Sequence, residues 1–164
     1  MIDDLSEGDV ILIGSSMGGW ASLLASLQRP DRVKVLVLIA PAPDFTETMG
    51  ANFDAAQQDT IMKEGVLYVP SDYDEPYAYT KMLIEDGRQN LLLDGPIAFT
   101  GPVRILQGEA DDVVPWAHSM RLVEALESED VTYTLVKGGN HSLSNLADLG
   151  RLLATAEALG KTIR

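Results

Sequence analysis

The stretch Gly14-Ser15-Ser16-Met17-Gly18 constrains this chain more than any other. An unbroken apolar run, Val10-Ile11-Leu12-Ile13, precedes it. From Ser16 to Leu27, Trp20, Leu23, Leu24 and Leu27 recur at three- and four-residue spacing. The run reads as a strand and the spacing as a helix. A Gly-x-Ser-x-Gly pattern in that setting implies a sharp strand-to-helix turn with the serine strained at its apex, presented as a nucleophile. Small residues two before and two after Ser16 relieve crowding there, and Gly19 adds room. The backbone N–H of Met17 opens the helix, where it can donate to an oxyanion.

The rest of the chain supplies a sheet for such a turn. Val33 to Ala40 is mostly apolar and β-branched, and Val103 to Gln107 follows Gly101-Pro102. Val131 to Val136 ends at Gly138-Gly139. Helical spacing runs from Trp116 to Leu126, opened by Pro115, and from Leu143 to Leu159. The first two strands are apolar on both faces, as a helix-covered parallel sheet requires. Alternating strands and helices predict an α/β fold with right-handed crossovers. Residues 1–40 and 101–164 make its core, and residues 41–100 form an insertion.

Roughly sixty residues between two core strands far exceeds the usual connection of about 4–6. The insertion therefore reads as a cap or lid, with helices over Ala55–Glu64 and Pro76–Leu92 and a small strand over Gly65–Val69. It carries Met49, Phe53, Met62, Leu67, Tyr68, Tyr73, Tyr77, Tyr79, Met82 and Leu83. Such side chains suit an apolar acyl or aromatic group, or else build the cap's own small core. Trp20 is expected to pack under the nucleophile helix.

Composition removes several alternatives. With 164 residues, 46% of them hydrophobic, the chain can bury a core. The absence of cysteine excludes a thiolate nucleophile, a disulfide scaffold and a Cys-ligated zinc site. Twenty-five acidic against twelve basic residues, net −13, argue against nucleic acid and anionic membrane surfaces. They also disfavour a polyanionic leaving group such as a coenzyme. No apolar run is long enough to span a bilayer, and no secretory signal opens the chain, so a cytoplasmic location is expected.

A serine nucleophile needs a base, and the chain has two histidines. His141 follows the last strand, in Gly138-Gly139-Asn140-His141-Ser142, where catalytic groups of parallel sheets collect. His118 lies on a helix's first turn, a common place for a solvated residue. His141 is therefore the expected base. The acid that orients it belongs to Gly108-Glu109-Ala110-Asp111-Asp112-Val113-Val114-Pro115, after the Val103 strand. Spacing alone does not choose between Asp111 and Asp112; the other is expected to help cap the following helix.

These residues, in the order serine, acid, histidine, resemble the α/β-hydrolase superfamily. There the loop after this strand often reads Gly-x-x-Asp-x-x-Val-Pro, which maps onto Gly108, Asp111, Val114 and Pro115. The resemblance thus implies Asp111 as the acid. It is closest to the branch of α/β-hydrolase-domain proteins that includes the mitochondrial palmitoyl-protein thioesterase and acyl-glucuronide esterase, with bacterial relatives. Gly14-Ser15-Ser16-Met17-Gly18-Gly19-Trp20, Asp111-Asp112-Val113-Val114-Pro115-Trp116 and Ile2-Asp3-Asp4-Leu5 carry it. The likeness covers nearly the whole chain and is weakest over residues 44–100. One departure is Gln107, where the superfamily usually has histidine.

The same resemblance implies that strands normally preceding the nucleophile strand are absent. Residues 1–7 then read as the end of a helix leading into Val10. One edge of Val10–Ile13 is left open, which invites pairing with another chain, and Leu143–Leu159 loses a packing neighbour. Either the sequence is part of a longer protein, or a homo-oligomer joined at that edge is the expected consequence, checked by light scattering at micromolar concentration. The second oxyanion donor would also be missing, a loss that costs about 10²–10³ in rate.

The expected reaction is hydrolysis of an ester or thioester of an apolar acyl group. Ser16 is the nucleophile, His141 the base, Asp111 its orienting acid and Met17 the oxyanion donor, with Gly14 and Gly18 framing the turn. The acidic group Glu109, Asp111 and Asp112 also admits a divalent cation, but the acid already has a role opposite the histidine. No metal or organic cofactor is expected. Two other readings are a non-catalytic binding module that keeps the fold and a serine peptidase of the same fold.

Overall fold

The computed structural model describes residues 2–70 and 75–161. It divides into two compact units. The first comprises Met1–Pro43 and Leu92–Arg164, the second Asp44–Leu91.

The first unit is built on a four-stranded sheet. Its strands are β1 (Val10–Ser15), β2 (Val33–Ile39), β5 (Val103–Gly108) and β6 (Val131–Val136). They lie in the order β1-β2-β5-β6 and all pair in parallel. Between them run α2 (Met17–Gln28) and α6 (Trp116–Ala125), with α7 (Leu146–Gly160) after β6. This is the expected mostly parallel sheet with flanking helices.

The pleat of β2 shows why both faces must be covered. Leu36 and Leu38 enter one cluster with Leu23 of α2, Ile105 of β5 and Leu122 of α6. Val35, Val37 and Ile39 enter a second, on the other face, with Leu106, Leu143 and Leu159 of α7. Side chains of a strand alternate between faces, so the continuous apolar run of β2 feeds two cores at once. In β1, by contrast, Ile13 is 52% exposed, and the strand pairs with β2 alone among the described residues.

A short helix, α1 (Ile2–Leu5), precedes β1. Asp3 ties it to Arg29 and Arg32, each at 2.9 Å. Trp20 is buried on α2, as expected.

The start of the last helix differs from the leucine spacing. The last helix begins at Leu146 rather than Leu143, because Asn145 caps it by accepting from the Asp148 N–H at 3.0 Å. Leu143 sits instead in the left-handed region, φ 44°, with its N–H donating to Asn140 Oδ1. Along α7, Leu146, Leu149 and Leu153 form an exposed stripe, and Leu159 turns into the core.

The second unit holds α3 (Phe45–Asn52), α4 (Ala55–Glu64), β3 (Val66–Val69), β4 (Tyr77–Thr80) and α5 (Lys81–Arg88). Asp54 and Gln57 form a capping box at the start of α4, and Gly65 ends it at φ 81°. The helix expected over Pro76–Leu92 is corrected. Tyr77–Thr80 pairs antiparallel with Val66–Val69, and Thr80 Oγ1 accepts from the Leu83 N–H to start the helix at Lys81. Phe53 and Tyr79 pack edge to face at 5.4 Å, so these two aromatics serve the unit's own core. Met62, Tyr68 and Met82 are exposed. Tyr73 lies outside the described residues, as does the side chain of Met49. No helix among the described residues is long and apolar enough to cross a membrane.

Candidate active site

β1 runs straight into α2 through Ser16. The turn is tight enough to force Ser16 to φ 52° and ψ −122°, a conformation that L residues rarely adopt. Such strain costs about 1–3 kcal/mol and persists only where neighbours over-determine it. Here the Ser16 N–H donates to Ile39 O at 2.8 Å, and Ser16 O accepts from the N–H groups of Gly19 and Ala42.

Gly14 is required by close approach. A Cβ there would lie 2.3 Å from Gly18 O and 2.5 Å from Ser22 Oγ, and these two atoms are themselves hydrogen-bonded. Gly18 has open space where its Cβ would be; the second crowded glycine is Gly19, against Pro41. Gly14→Ala is expected to cost about 1–3 kcal/mol through overpacking, read as a lower urea midpoint.

Met17 is the first residue of α2. Its N–H belongs to the first turn, so it has no intrahelical acceptor and stands beside Ser16 as a donor.

Asp111 and His141, the expected acid and base, lie in the loops after β5 and β6. Because the sheet is parallel, these loops open at the same end as the β1–α2 turn. Glycine again permits the approach, since a Cβ on Gly108 would meet Gly139 O at 2.3 Å. Glu109 braces the two loops by pairing with Lys137 and accepting from the Gly138 N–H. The Lys137 and Gly138 hydrogen bonds outweigh a small burial effect and, with the Lys137 charge, hold the Glu109 carboxyl below its usual range.

Between the braced loops, His141 Nδ1 lies 2.9 Å from Asp111 Oδ2. The Asp111 side chain is fully buried and that of His141 is 15% exposed. An ionised carboxylate only accepts, so the proton sits on Nδ1 and the lone pair on Nε2 is left as a base. Asp111 Oδ1 accepts from the N–H groups of Val113 and Val114, at 2.9 and 2.8 Å. Burial pushes the Asp111 carboxyl up. The hydrogen bonds from His141, Val114 and Val113, together with electrostatic attraction to the His141 ring, bring it below its ordinary value.

That depression has a consequence for stability. A carboxyl that binds its proton less readily in the folded chain stabilises the fold above the unfolded value of about 3.9. The contribution disappears as pH falls through the lower folded value. The urea midpoint should therefore drop below about pH 4, and Asp111→Asn should make that drop shallower.

The residues that the sequence singled out can now be placed. Asp111 and His141 are brought together. Ser16 stands at the same end of the sheet, but no hydrogen bond joins its hydroxyl to His141 among the described residues; such bonds are often long before substrate binds. Asp112 is exposed and caps nothing: the N-cap of α6 is Pro115, with no side-chain cap. The second histidine, His118, has Nε2 2.7 Å from the carbonyl of Pro43. A carbonyl only accepts, so His118 donates there and acts as a structural tie.

Sequence reasoning set Gln107 aside. The structure places it fully buried, with Nε2 2.8 Å from Asp111 Oδ2. The available signal was a polar residue inside the otherwise apolar run Ile105-Leu106-Gln107.

Residues 4–156 match the model of the prolyl oligopeptidase family, Peptidase_S9. The mitochondrial palmitoyl-protein thioesterase ABHD10 of Mus musculus is 36% identical over 165 aligned positions that cover 97% of this chain and 54% of that protein. The Homo sapiens protein of the same name is 35% identical over 161 residues, 97% of this chain and 53% of its own. The chain thus spans about half the length of the curated relatives it matches. A crystal structure of a putative hydrolase from Agrobacterium vitis S4 superposes with a TM-score of 0.90 at 38% identity, over 96% of this chain and 63% of that one. Alpha/beta hydrolase domain-containing protein 10 from mouse gives 0.86 at 34% identity, over 98% and 65%. By family model, sequence and fold together, this chain belongs to the prolyl oligopeptidase family of α/β-hydrolases.

Proposed function

We propose that the chain is a serine hydrolase that cleaves ester or thioester bonds of apolar acyl groups. One observation carries this reading: a buried carboxylate holds His141 by Nδ1 at the end of the sheet where a strained serine stands.

In this mechanism Ser16 Oγ attacks the acyl carbonyl carbon while His141 Nε2 takes its proton. Asp111 stabilises the imidazolium. The Met17 N–H donates to the oxyanion that forms. Collapse of the tetrahedral species expels the alcohol or thiol, which receives the proton from His141. Water then releases the acyl group by the same route. The relatives named palmitoyl-protein thioesterase support a thioester of a long acyl chain.

The test is intact mass after exposure to a fluorophosphonate, on wild type and Ser16→Ala. An adduct on wild type alone is expected. No adduct on folded wild type would overturn the reading in favour of a binding module. Because the family model is that of an oligopeptidase, nitrophenyl esters of graded length should be compared with aminoacyl nitroanilides. Faster turnover of the anilides would make the protein a peptidase.

A further inference from the structure

Gln107 lies near the end of β5, where the strand delivers the Asp111 loop. Its amide is placed unequally. Nε2 faces three oxygens: Asp111 Oδ2 at 2.8 Å, Val114 O at 3.0 Å and Gly108 O at 3.4 Å. Oε1 is buried with no hydrogen-bond partner among the described residues. Turning the amide over would set a carbonyl oxygen against a carboxylate and two carbonyls, so the observed orientation is the only one the charges permit.

A residue that merely filled this volume would be better served by methionine or leucine, which leave no buried acceptor unpaired. The donor end is what distinguishes glutamine here. Asp111 Oδ1 is pinned by the Val113 and Val114 N–H groups, so the carboxylate keeps one freedom, a swing of Oδ2 about that anchor. Oδ2 is the oxygen that His141 uses, and Gln107 holds it from the other side. By binding Val114 O as well, the amide ties Oδ2 to the same turn that pins Oδ1.

We propose that Gln107 is a positioning residue that keeps Asp111 Oδ2 turned toward His141. The role rests on the reading of Asp111 and His141 as acid and base, and it acts through them without touching substrate.

Gln107→Met tests it, because methionine is similar in size and has no donor. The first readout needs no substrate: the ring N–H resonances of the protein's two histidines, assigned with His118→Gln. Wild type should show a downfield, slowly exchanging Nδ1–H from His141. In Gln107→Met that signal should broaden into exchange with water while the His118 signal stays. With a nitrophenyl ester, kcat should fall about 10- to 100-fold from misplacement of the acid–base pair, with KM unchanged. Gln107→His returns an N–H donor and should recover both the signal and most of the lost kcat. If methionine is not accommodated, Gln107→Leu serves in its place. An unchanged His141 signal with wild-type kcat would overturn the proposal, as would a uniform loss of thermal stability with neither signal nor kcat moved. If wild type hydrolyses no ester, the hydrolase reading fails, while the resonance still decides whether Gln107 positions Asp111.

Discussion

Ser16→Ala is expected to lower kcat on a nitrophenyl acyl ester by on the order of 10⁶-fold, the scale seen when a serine nucleophile is removed from a working triad. KM should change little, because the hydroxyl contributes to the transition state and not to holding the acyl chain. The fold should tolerate the change. The strained backbone at this position is held by Ser16 N–H to Ile39 O and by the two bonds to Ser16 O, none of which uses the side chain. A variant that stays folded and keeps more than a few per cent of wild-type kcat would mean that another group attacks the substrate.

The second large effect is that of Asp111→Asn, expected to lower kcat by about 10⁴-fold. The direction follows from the hydrogen bonds around the carboxylate. Val113 and Val114 donate to Oδ1, so the asparagine oxygen must take that place and its NH₂ must take the place of Oδ2. That NH₂ then donates to His141 Nδ1, the proton moves to Nε2, and the base can no longer accept from Ser16. Gln107 Nε2 would meet the same NH₂, donor against donor, unless its amide turns over. Turned over, Oε1 gains the partner it lacks in the wild type, which offsets the loss at Val114 O and the new approach of Oε1 to the Val114 and Gly108 carbonyls. Folding stability at neutral pH should therefore change far less than rate. Equal loss of both would assign Asp111 a structural role only.

Local chemistry made much of this legible in the sequence. The Gly14 to Gly18 turn is specified by neighbouring residues, so a linear pattern finds it. The burial of β2 on both faces is likewise written in a nearly unbroken apolar run. Harder features depend on partners far along the chain. Asp111 and Asp112 are equivalent by spacing; only the Val113 and Val114 N–H groups and His141, 30 positions on, distinguish them. Tyr77–Thr80 was hidden in a helical period because what makes it a strand is its pairing with the separate segment Val66–Val69. The leucine rhythm ran on through Leu143, where the loop that carries His141 needs a left-handed residue instead. Gln107 looked like an incidental substitution until the strand brought it beside Asp111.

The placement of β1 also bears on how the molecule loses its competence. β2 is paired on both sides and buried on both faces; β1 is paired on one side, with Ile13 half in solvent. Opening free energies vary across a structure, and sparsely covered elements open first. Amide protons of Val10 to Ser15 should therefore exchange with solvent well before those of Leu36 to Ile39. Each such opening carries Ser16 away from the Asp111–His141 pair while the inner strands stay paired. Ser16 rides on an edge strand of its sheet, so warming should silence the proposed chemistry below the temperature at which the fold itself melts.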